Sequence, residues 1–542
     1  PKMLSFSLIA PKAAAAAEET AIPPPMPLRP TARAAPTYLR PSAIPPEAAA
    51  AVAVSAAMAE PEYAPRITEE KQTLTVMRYI RDIDNIQMDG LWYNDHMEEL
   101  TNVHIDYTTV SQSDFPMQLN LMYSSGEYPD LVIDGGNNVD LEMYGVDQGV
   151  FMPLDDLIEN NMPNYKALMA LNDVTYKSTM ASDGHIYAIG YIADANAPAS
   201  NNFAFINKNW LAELGRELPT TIDELYDTLL AFKEAHPEGY IWEATFDEMF
   251  VYMSQLWGIT ENTKWYSITN DGKVVLNATQ PGYREMVEFI AKCYESGILD
   301  PSCITQDGNT KISKLNEDKI GFSILWRLRS MGWDPLVDSM TFLPPFAAGD
   351  NEVKIKYSIP LADKRCLIPS TSQNAELAAK WIDYQLTPQM VFEGFYGPEG
   401  NLWSWQDGKC TLGPSGDQEC VKWAYGVNTL CYMPGAYYSE HCQQPDYRIE
   451  RMEYCDIVAP YYEKYSTQYV SGLATPTADE AQEISLLFTT INTVIREKLA
   501  DFVMHGVTDE SWESFQTELA NAGADRYIEI YQRVFDDYMA QQ

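Results

Sequence analysis

Six histidines (His96, His104, His185, His236, His441 and His505) are the natural candidates for metal or acid–base work in this 542-residue chain. None stands in an H-E-x-x-H or comparable ligand spacing, so a zinc enzyme is not expected. The eight cysteines are Cys293, Cys303, Cys366, Cys410, Cys420, Cys431, Cys442 and Cys455; none forms C-x-x-C, and zinc-ribbon or thioredoxin chemistry therefore lacks its ligand pair. An even count in an exported chain is compatible with disulfides, whose pairing the sequence does not give, and equally with free buried thiols. The chain contains no G-x-S-x-G elbow, no G-x-x-x-x-G-K-[ST] loop and no G-x-G-x-x-G, the minimal parts of serine hydrolases, nucleotide hydrolases and dinucleotide enzymes. A glycosidase-type carboxylate pair stays open, because its two members are usually far apart in sequence and 77 acidic residues are available. What the composition supplies in quantity is aromatic surface. With 34 Tyr and 12 Trp, many rings must meet solvent or a ligand.

The elements that would position such rings belong to a large globular protein. The length allows about two to four domains, and a hydrophobic fraction of 46% supports a packed core. A formal charge of −40 excludes a phosphate-backbone partner, which needs a cationic face, so no nucleic acid is expected. The longest near-apolar run, Ala48 to Ala59, is too short for a membrane span. Residues 1–72 are read as a flexible Ala/Pro-rich tether, in which Met3 to Ala10 resembles the tail of a secretion signal. No Cys precedes Cys293, so an acylated anchor residue is not present in the sequence.

Beyond the tether, Leu74, Val76, Arg78 and Ile80 alternate with Thr73, Thr75, Met77 and Tyr79, the period of a strand. Val103, Ile105 and Tyr107 repeat it, Asn94–Leu100 and Phe115–Ser124 suit helices, and Leu131–Ile133 reads as a short buried strand. Strands alternating with helices predict a parallel α/β sheet. Capping boxes are predicted at Thr221/Glu224 and Thr477/Glu480. The end of the chain is helical: Ile484, Leu487, Phe488, Ile491, Ile495 and Phe502 share one face, as do Tyr527, Ile530, Tyr531, Val534, Phe535 and Tyr538, both read as core stripes.

Five segments, in order, resemble the extracellular solute-binding protein family 1, in its large Gram-positive oligosaccharide branch: LNLMYSSGEYPDLVI (119–133), GVFMPLDDLIENNMPNY (149–165), the run from DGHIYAIGY through FAFINKNWLAELG to PTTIDELYDTLLAFKEAHP (183–237), IPSTSQNAELAAKWIDYQL (368–386) and the terminal WESFQTELANAGADRYIEIYQRVFDDYM. The resemblance implies an α/β, two-lobed periplasmic-binding-protein-like (type II) fold with a hinge and a long helical C-terminal part. It implies crossings near Ala188–Tyr191 and Ser358–Leu361, hence one lobe of residues 73–189 plus about 362–400 and another of 190–361 plus about 401–542. The implied function is that of the non-enzymatic, monomeric, extracellular receptor of an ABC importer, held at a Gram-positive cell surface and handing its ligand to membrane permease subunits. An oligosaccharide is the expected ligand and a peptide the alternative; a polysaccharide-active enzyme and an adhesion or sensory protein are the rival functions. Where some relatives carry a calcium loop, this chain reads HPEGYIWEATFDEM, whose Glu238, Glu243, Asp247 and Glu248 lack the required alternation, so no metal or cofactor is expected.

The ligand residues follow from the same likeness. Trp326 stands where the resemblance places a cleft aromatic, though core filling is the competing role, and Arg327 beside it is either a hydroxyl donor or half of an ion pair. Arg78 and Tyr79 end the first strand, and Asp134 ends the third at the carboxyl edge, where α/β proteins place ligands. Tyr191 and Asn201 border the first crossing, while Trp403, Trp405 and Tyr432 lie in the cysteine-rich late region; each is also of a type common at half-buried surfaces.

Overall fold

Alternation carries the first strand only halfway. β1 (Gln72–Ile80) buries Leu74 and Val76 and exposes Thr73 and Thr75, but Met77 and Arg78 are buried as well. The reason is its place: β1 is the centre of a parallel sheet ordered β2-β1-β3, covered on both faces. The structure, a computed structural model, describes residues 66–540 apart from 81–87, 89, 112, 134–138, 171–178, 192–201, 261–262, 326–327, 329–333, 356–362, 407–408, 413–445, 464 and 466–475. The expected tether and the crossing at Ser358–Leu361 thus fall outside the described residues, apart from the tether's last few residues, of which Gln72 already belongs to β1.

Between these strands, α1 (Trp92–Thr101) leads into β2 (Val103–Ser111) and α2 (Phe115–Ser125) into β3 (Leu131–Ile133), matching the predicted alternation. Two short helices follow, α3 (Asp155–Asn161) and α4 (Pro163–Met169), and then β4 (Ile189–Tyr191). Next come β5 (Phe203–Asn207), α5 (Lys208–Glu213), α6 (Ile222–Ala235), β6 (Tyr240–Glu243) and α7 (Phe246–Leu256). A hairpin of β7 (Tyr266–Ile268) and β8 (Val274–Leu276), α8 (Pro281–Glu295) and α9 (Gly308–Leu315) precede β9 (Ile320–Leu325), α10 (Asp334–Ser339) and β10 (Met340–Leu343). The mixed sheet of this part is ordered β10-β5-β9-β6, with β6 parallel and β5 antiparallel to β9. The chain returns through β11 (Asp363–Cys366), α11 (Ala375–Tyr384), α12 (Pro388–Tyr396) and the β12–β13 hairpin (Trp403–Gln406, Lys409–Leu412). It ends in α13 (Asp446–Val458), α14 (Ala478–His505), α15 (Asp509–Asn521) and α16 (Ala524–Ala540).

The buried residues separate by lobe. One core joins Leu74, Val76, Leu131 and Ile133 to Ile189, Cys366, Trp381, Phe392, Trp403 and Cys410. Another joins Ile206, Trp242, Phe322 and Tyr283 to Ile491, Ile495, Phe502, Tyr527, Tyr531 and Phe535, so most of both terminal stripes packs here, with Ile484, Leu487 and Phe488 partly buried against it and Tyr538 half-buried. Of the segment 403–410, expected in the second lobe, Trp403 and Cys410 share this first core with Phe392 of α12.

One carboxylate ties the β1–β3 sheet to the returning chain across long gaps in sequence. Asp130, just before β3, accepts from the Thr75 N–H (3.0 Å) and hydroxyl (2.9 Å), the Ser372 hydroxyl (2.9 Å) and the Asn374 amide (3.0 Å). Burial opposes its ionisation, but these donors prevail and hold its carboxyl below the usual range. A depressed pKa means that the unfolded chain binds the proton more readily. The contribution is therefore complete above the ordinary Asp value and is lost as pH falls through the lower folded one. In acid titrations followed by thermal unfolding, the wild type should lose stability more steeply than Asp130→Asn below about pH 5; parallel curves would show that these hydrogen bonds do not matter.

The predicted capping box of α14 is present, Thr477 accepting from the Glu480 N–H (3.3 Å) and Glu480 from the Thr477 N–H (3.0 Å). At α6 the box is displaced. Thr221 does accept from the Glu224 N–H, but Glu224 bonds chiefly to the N–H and hydroxyl of Thr220, both at 2.8 Å.

Candidate functional site

The chain leaves β1 for β2 on one side and comes back to β3 on the other, which makes the gap between β1 and β3 a topological switch point. Outside the carboxyl ends of a parallel sheet at such a point, neighbouring connections diverge and leave a crevice for a ligand. Arg78 pairs across to Ile133 there, and Tyr79 is the next residue along. Arg78 is buried, whereas Tyr79 is half-buried with its ring edge-on to Phe115 at 5.1 Å. Only the aromatic of this pair thus presents open surface at the edge.

The second lobe offers a matching edge. β9 and β6 run parallel, and their carboxyl ends lie beside the start of β5, with Leu325 paired to Phe203. Trp326 and Arg327 immediately follow Leu325 in sequence, and Asn201 precedes Phe203 by two residues. Asp134, Asn201, Trp326, Arg327 and Tyr432 all lie outside the described residues, and of Tyr191 only the backbone is described. That backbone pairs antiparallel with Asp363 in a two-stranded ribbon, β4 with β11, which joins the parts of the chain on either side.

The late tryptophans divide. Trp403 was expected as a ligand contact, but it is 1% exposed, donates its indole N–H to the Gly397 carbonyl at 2.7 Å and packs on Phe392. A ring so enclosed has no face left for a sugar; it is core. Trp405, two residues on and therefore on the same face of the hairpin, meets Phe392 edge-on at 5.5 Å but stays half-buried. Its indole N–H donates to Gln389 Oε1 at 3.1 Å; Gln389 Nε2 donates to Glu393 Oε1 at 2.7 Å; and Glu393 Oε2 meets His96 Nε2 at 2.9 Å. The His96 ring lies flat against Trp92, 4.7 Å between centroids and 15° between planes. Sequence reasoning missed Trp92, His96, Gln389 and Glu393. The i,i+4 spacings Trp92/His96 and Gln389/Glu393 were visible, but nothing in the sequence indicated that the two helices meet.

Glu243, Asp300 and Cys303 place possible metal-ligating atoms within 4.8 Å of one another. That grouping is already served by a cation of the chain itself. Lys314 donates to Asp300 Oδ2 (2.9 Å), Gln306 Oε1 (2.9 Å) and the Ser302 hydroxyl (2.5 Å), with Glu243 Oε2 at 3.3 Å. Burial pushes the Glu243 carboxyl above its usual range, and burial likewise pushes up the Cys303 thiol. The cluster is an internal charge network, with a tethered ammonium where an ion would sit.

Comparison with known proteins gives these features a setting. Residues 92–399 match the family described as bacterial extracellular solute-binding protein. The chain is 29% identical over 514 residues to the fructooligosaccharide ABC transporter substrate-binding protein FusA of Streptococcus pneumoniae, spanning 87% of this chain and 91% of that one. The structure of FusA in complex with kestose superposes with a TM-score of 0.74 at 27% identity, covering 87% of this chain and all of the other; an EF-hand mutant of FusA, in complex with fructo-nystose, fits equally well. A solute-binding protein of Bifidobacterium longum infantis described as binding HMO shares the fold, with a TM-score of 0.71 at 19% identity over 86% of this chain and 99% of that one. Among the described residues, no helix is long and apolar enough to cross a membrane.

Proposed function

Because the chain belongs to the bacterial extracellular solute-binding protein family, we propose that it is the receptor of an ABC importer that grips an oligosaccharide between its lobes and performs no chemistry on it. The observation that carries this reading is the switch-point edge between β1 and β3, set beside the two-stranded β4–β11 ribbon. Such an edge offers a site, and a ribbon of two short strands is the kind of connection about which lobes rotate. The likeness to FusA, extending over 87% of the chain, supports the choice of ligand class. We place the lobe crossings at β4 and β11 and assign the β12–β13 hairpin to the first lobe. Closure follows from linkage: a ligand touching both lobes stabilises the closed form by contacts that the open form lacks. The closed form then docks, as a monomer at the cell surface, on membrane permease subunits. Arg78, Tyr79, Asp134, Tyr191, Asn201, Trp326, Arg327 and Tyr432 remain the proposed contacts.

Thermal unfolding in the presence of kestose, fructo-nystose, human milk oligosaccharides and mixed peptides tests the reading. A ligand at one hundred times its Kd adds about 2.7 kcal/mol to the folded state, a shift of several degrees. Stabilisation by a peptide and by no oligosaccharide would overturn it.

A further inference from the structure

We propose that Trp92, His96, Glu393 and Trp405, with Gln389 as a positioning residue, form a subsite on the first lobe for the terminal ring of a neutral oligosaccharide; this rests on the reading that the ligand is a carbohydrate. α1 follows β1 and runs back to the start of β2, so its first turn lies on the carboxyl side of the sheet. Trp92 and His96 occupy that first turn and the next, on one helix face. The site is therefore on the side of the lobe where the switch point opens.

The chemistry is that of a sugar platform. Trp92, His96 and Trp405 are all half-buried, so each shows part of a ring to solvent, and a sugar lays its apolar C–H face against such rings. The polar groups between them are ordered in one direction: the Trp405 N–H donates to Gln389, and the Gln389 amide donates to Glu393. Among the described residues, each carboxylate oxygen of Glu393 has one partner, and a carboxylate offers about four acceptor positions. Sugar hydroxyls are donors that fit those positions. His96 engages Glu393 through Nε2, which leaves Nδ1 for a further hydroxyl.

Packing alone does not account for the arrangement. Glu393 is 8% exposed on a helix whose neighbouring residues Met390, Val391 and Phe392 are core. A carboxylate at such a position costs desolvation that an apolar residue would avoid. The same carboxylate discriminates among ligands: a uronate ring would bring a second carboxyl against Glu393, whereas a neutral ring brings donors only.

Titration calorimetry of the full chain with kestose, the longer fructo-nystose, which carries two more rings, and trigalacturonate tests the subsite in wild type, Trp92→Ala, Trp92→Phe and Glu393→Gln. Wild type should bind the longer neutral sugar and not the uronate. Trp92→Ala and Glu393→Gln should weaken fructo-nystose at least tenfold more than kestose, Trp92→Phe should keep most of the affinity, and thermal midpoints should stay within about 3 °C of wild type, the shift of roughly a single kcal/mol. Wild-type affinities in the variants for both sugars, or equal losses for both accompanied by a lowered midpoint, would reduce the network to a brace for the hairpin and overturn the proposal. Preference of the wild type for trigalacturonate overturns the neutral-sugar assignment. If the wild type binds none of the three, the carbohydrate reading itself falls and the subsite with it, a result distinct from intact binding by unaffected variants.

Discussion

Exchange of Lys314 for methionine is expected to lower stability by about 4 kcal/mol, the scale on which a buried ion pair broken from one side destabilises a protein. Among the described residues, the ammonium is the only charge compensation within hydrogen-bonding reach of Glu243, whose residue is fully buried at the end of β6, and it serves Asp300, Ser302 and Gln306 as well. Removing it leaves a carboxylate in the core with only the Gln306 amide as donor. The sign of the effect is checked by a second change. Glu243→Gln in the Lys314→Met background removes the stranded charge and should restore a large part of the loss, so the double variant is more stable than the single one. Unfolding should be followed in a chelator, because without the ammonium the Glu243, Asp300 and Cys303 donors are free to take up a trace cation. A loss below about 1 kcal/mol, typical of exposed pairs, would show that water reaches the cluster.

Asp383→Ala should cost about 3 kcal/mol, through a different cause. α4 opens with Pro163, which has no N–H, and its next two donors, Asn164 N–H (3.3 Å) and Tyr165 N–H (2.8 Å), point at the buried carboxylate of Asp383 on α11. The Asn164 side-chain amide adds a third bond at 2.9 Å. Truncation removes the acceptor of the two buried backbone donors, while the Asn164 amide keeps the Asp383 backbone carbonyl at 3.2 Å, and each unmade bond of this kind costs about 1–3 kcal/mol. In a lobe of this size the thermal midpoint should fall by roughly 6–12 °C. Asp383→Asn keeps one acceptor oxygen and should lie between wild type and alanine; an asparagine variant as unstable as alanine would assign the effect to charge rather than to capping.

What the sequence disclosed, and what it withheld, follow from distance along the chain. Strand β1, the helices around Trp92 and Phe115, the Thr477 cap and the stripes of α14 and α16 are set by neighbours within about one or two turns, and their residues announce them. The displaced partner of Glu224 shows the limit of even local rules, because Thr220 and Thr221 offer the same hydroxyl and only the backbone path chooses between them. The Lys314 network gathers residues from 243 to 314, and His96 meets Glu393 from 297 residues away, so no spacing could reveal either. Trp403 and Trp405 are one repeat apart on a strand and were read alike, as both are aromatic. Burial against Phe392 with a satisfied indole makes one of them core.

The first lobe is closed by residues that leave the ribosome late. Val132 bridges Leu367, and Asp130 waits for Ser372 and Asn374, which are 242 and 244 positions further on. Three strands made early therefore present unsatisfied edges until most of the chain has been synthesised, and contacts of such long range slow the search for the native arrangement. Completion of this sheet is thereby postponed until the chain has been made past residue 374. The discontinuous architecture acts as its own delay.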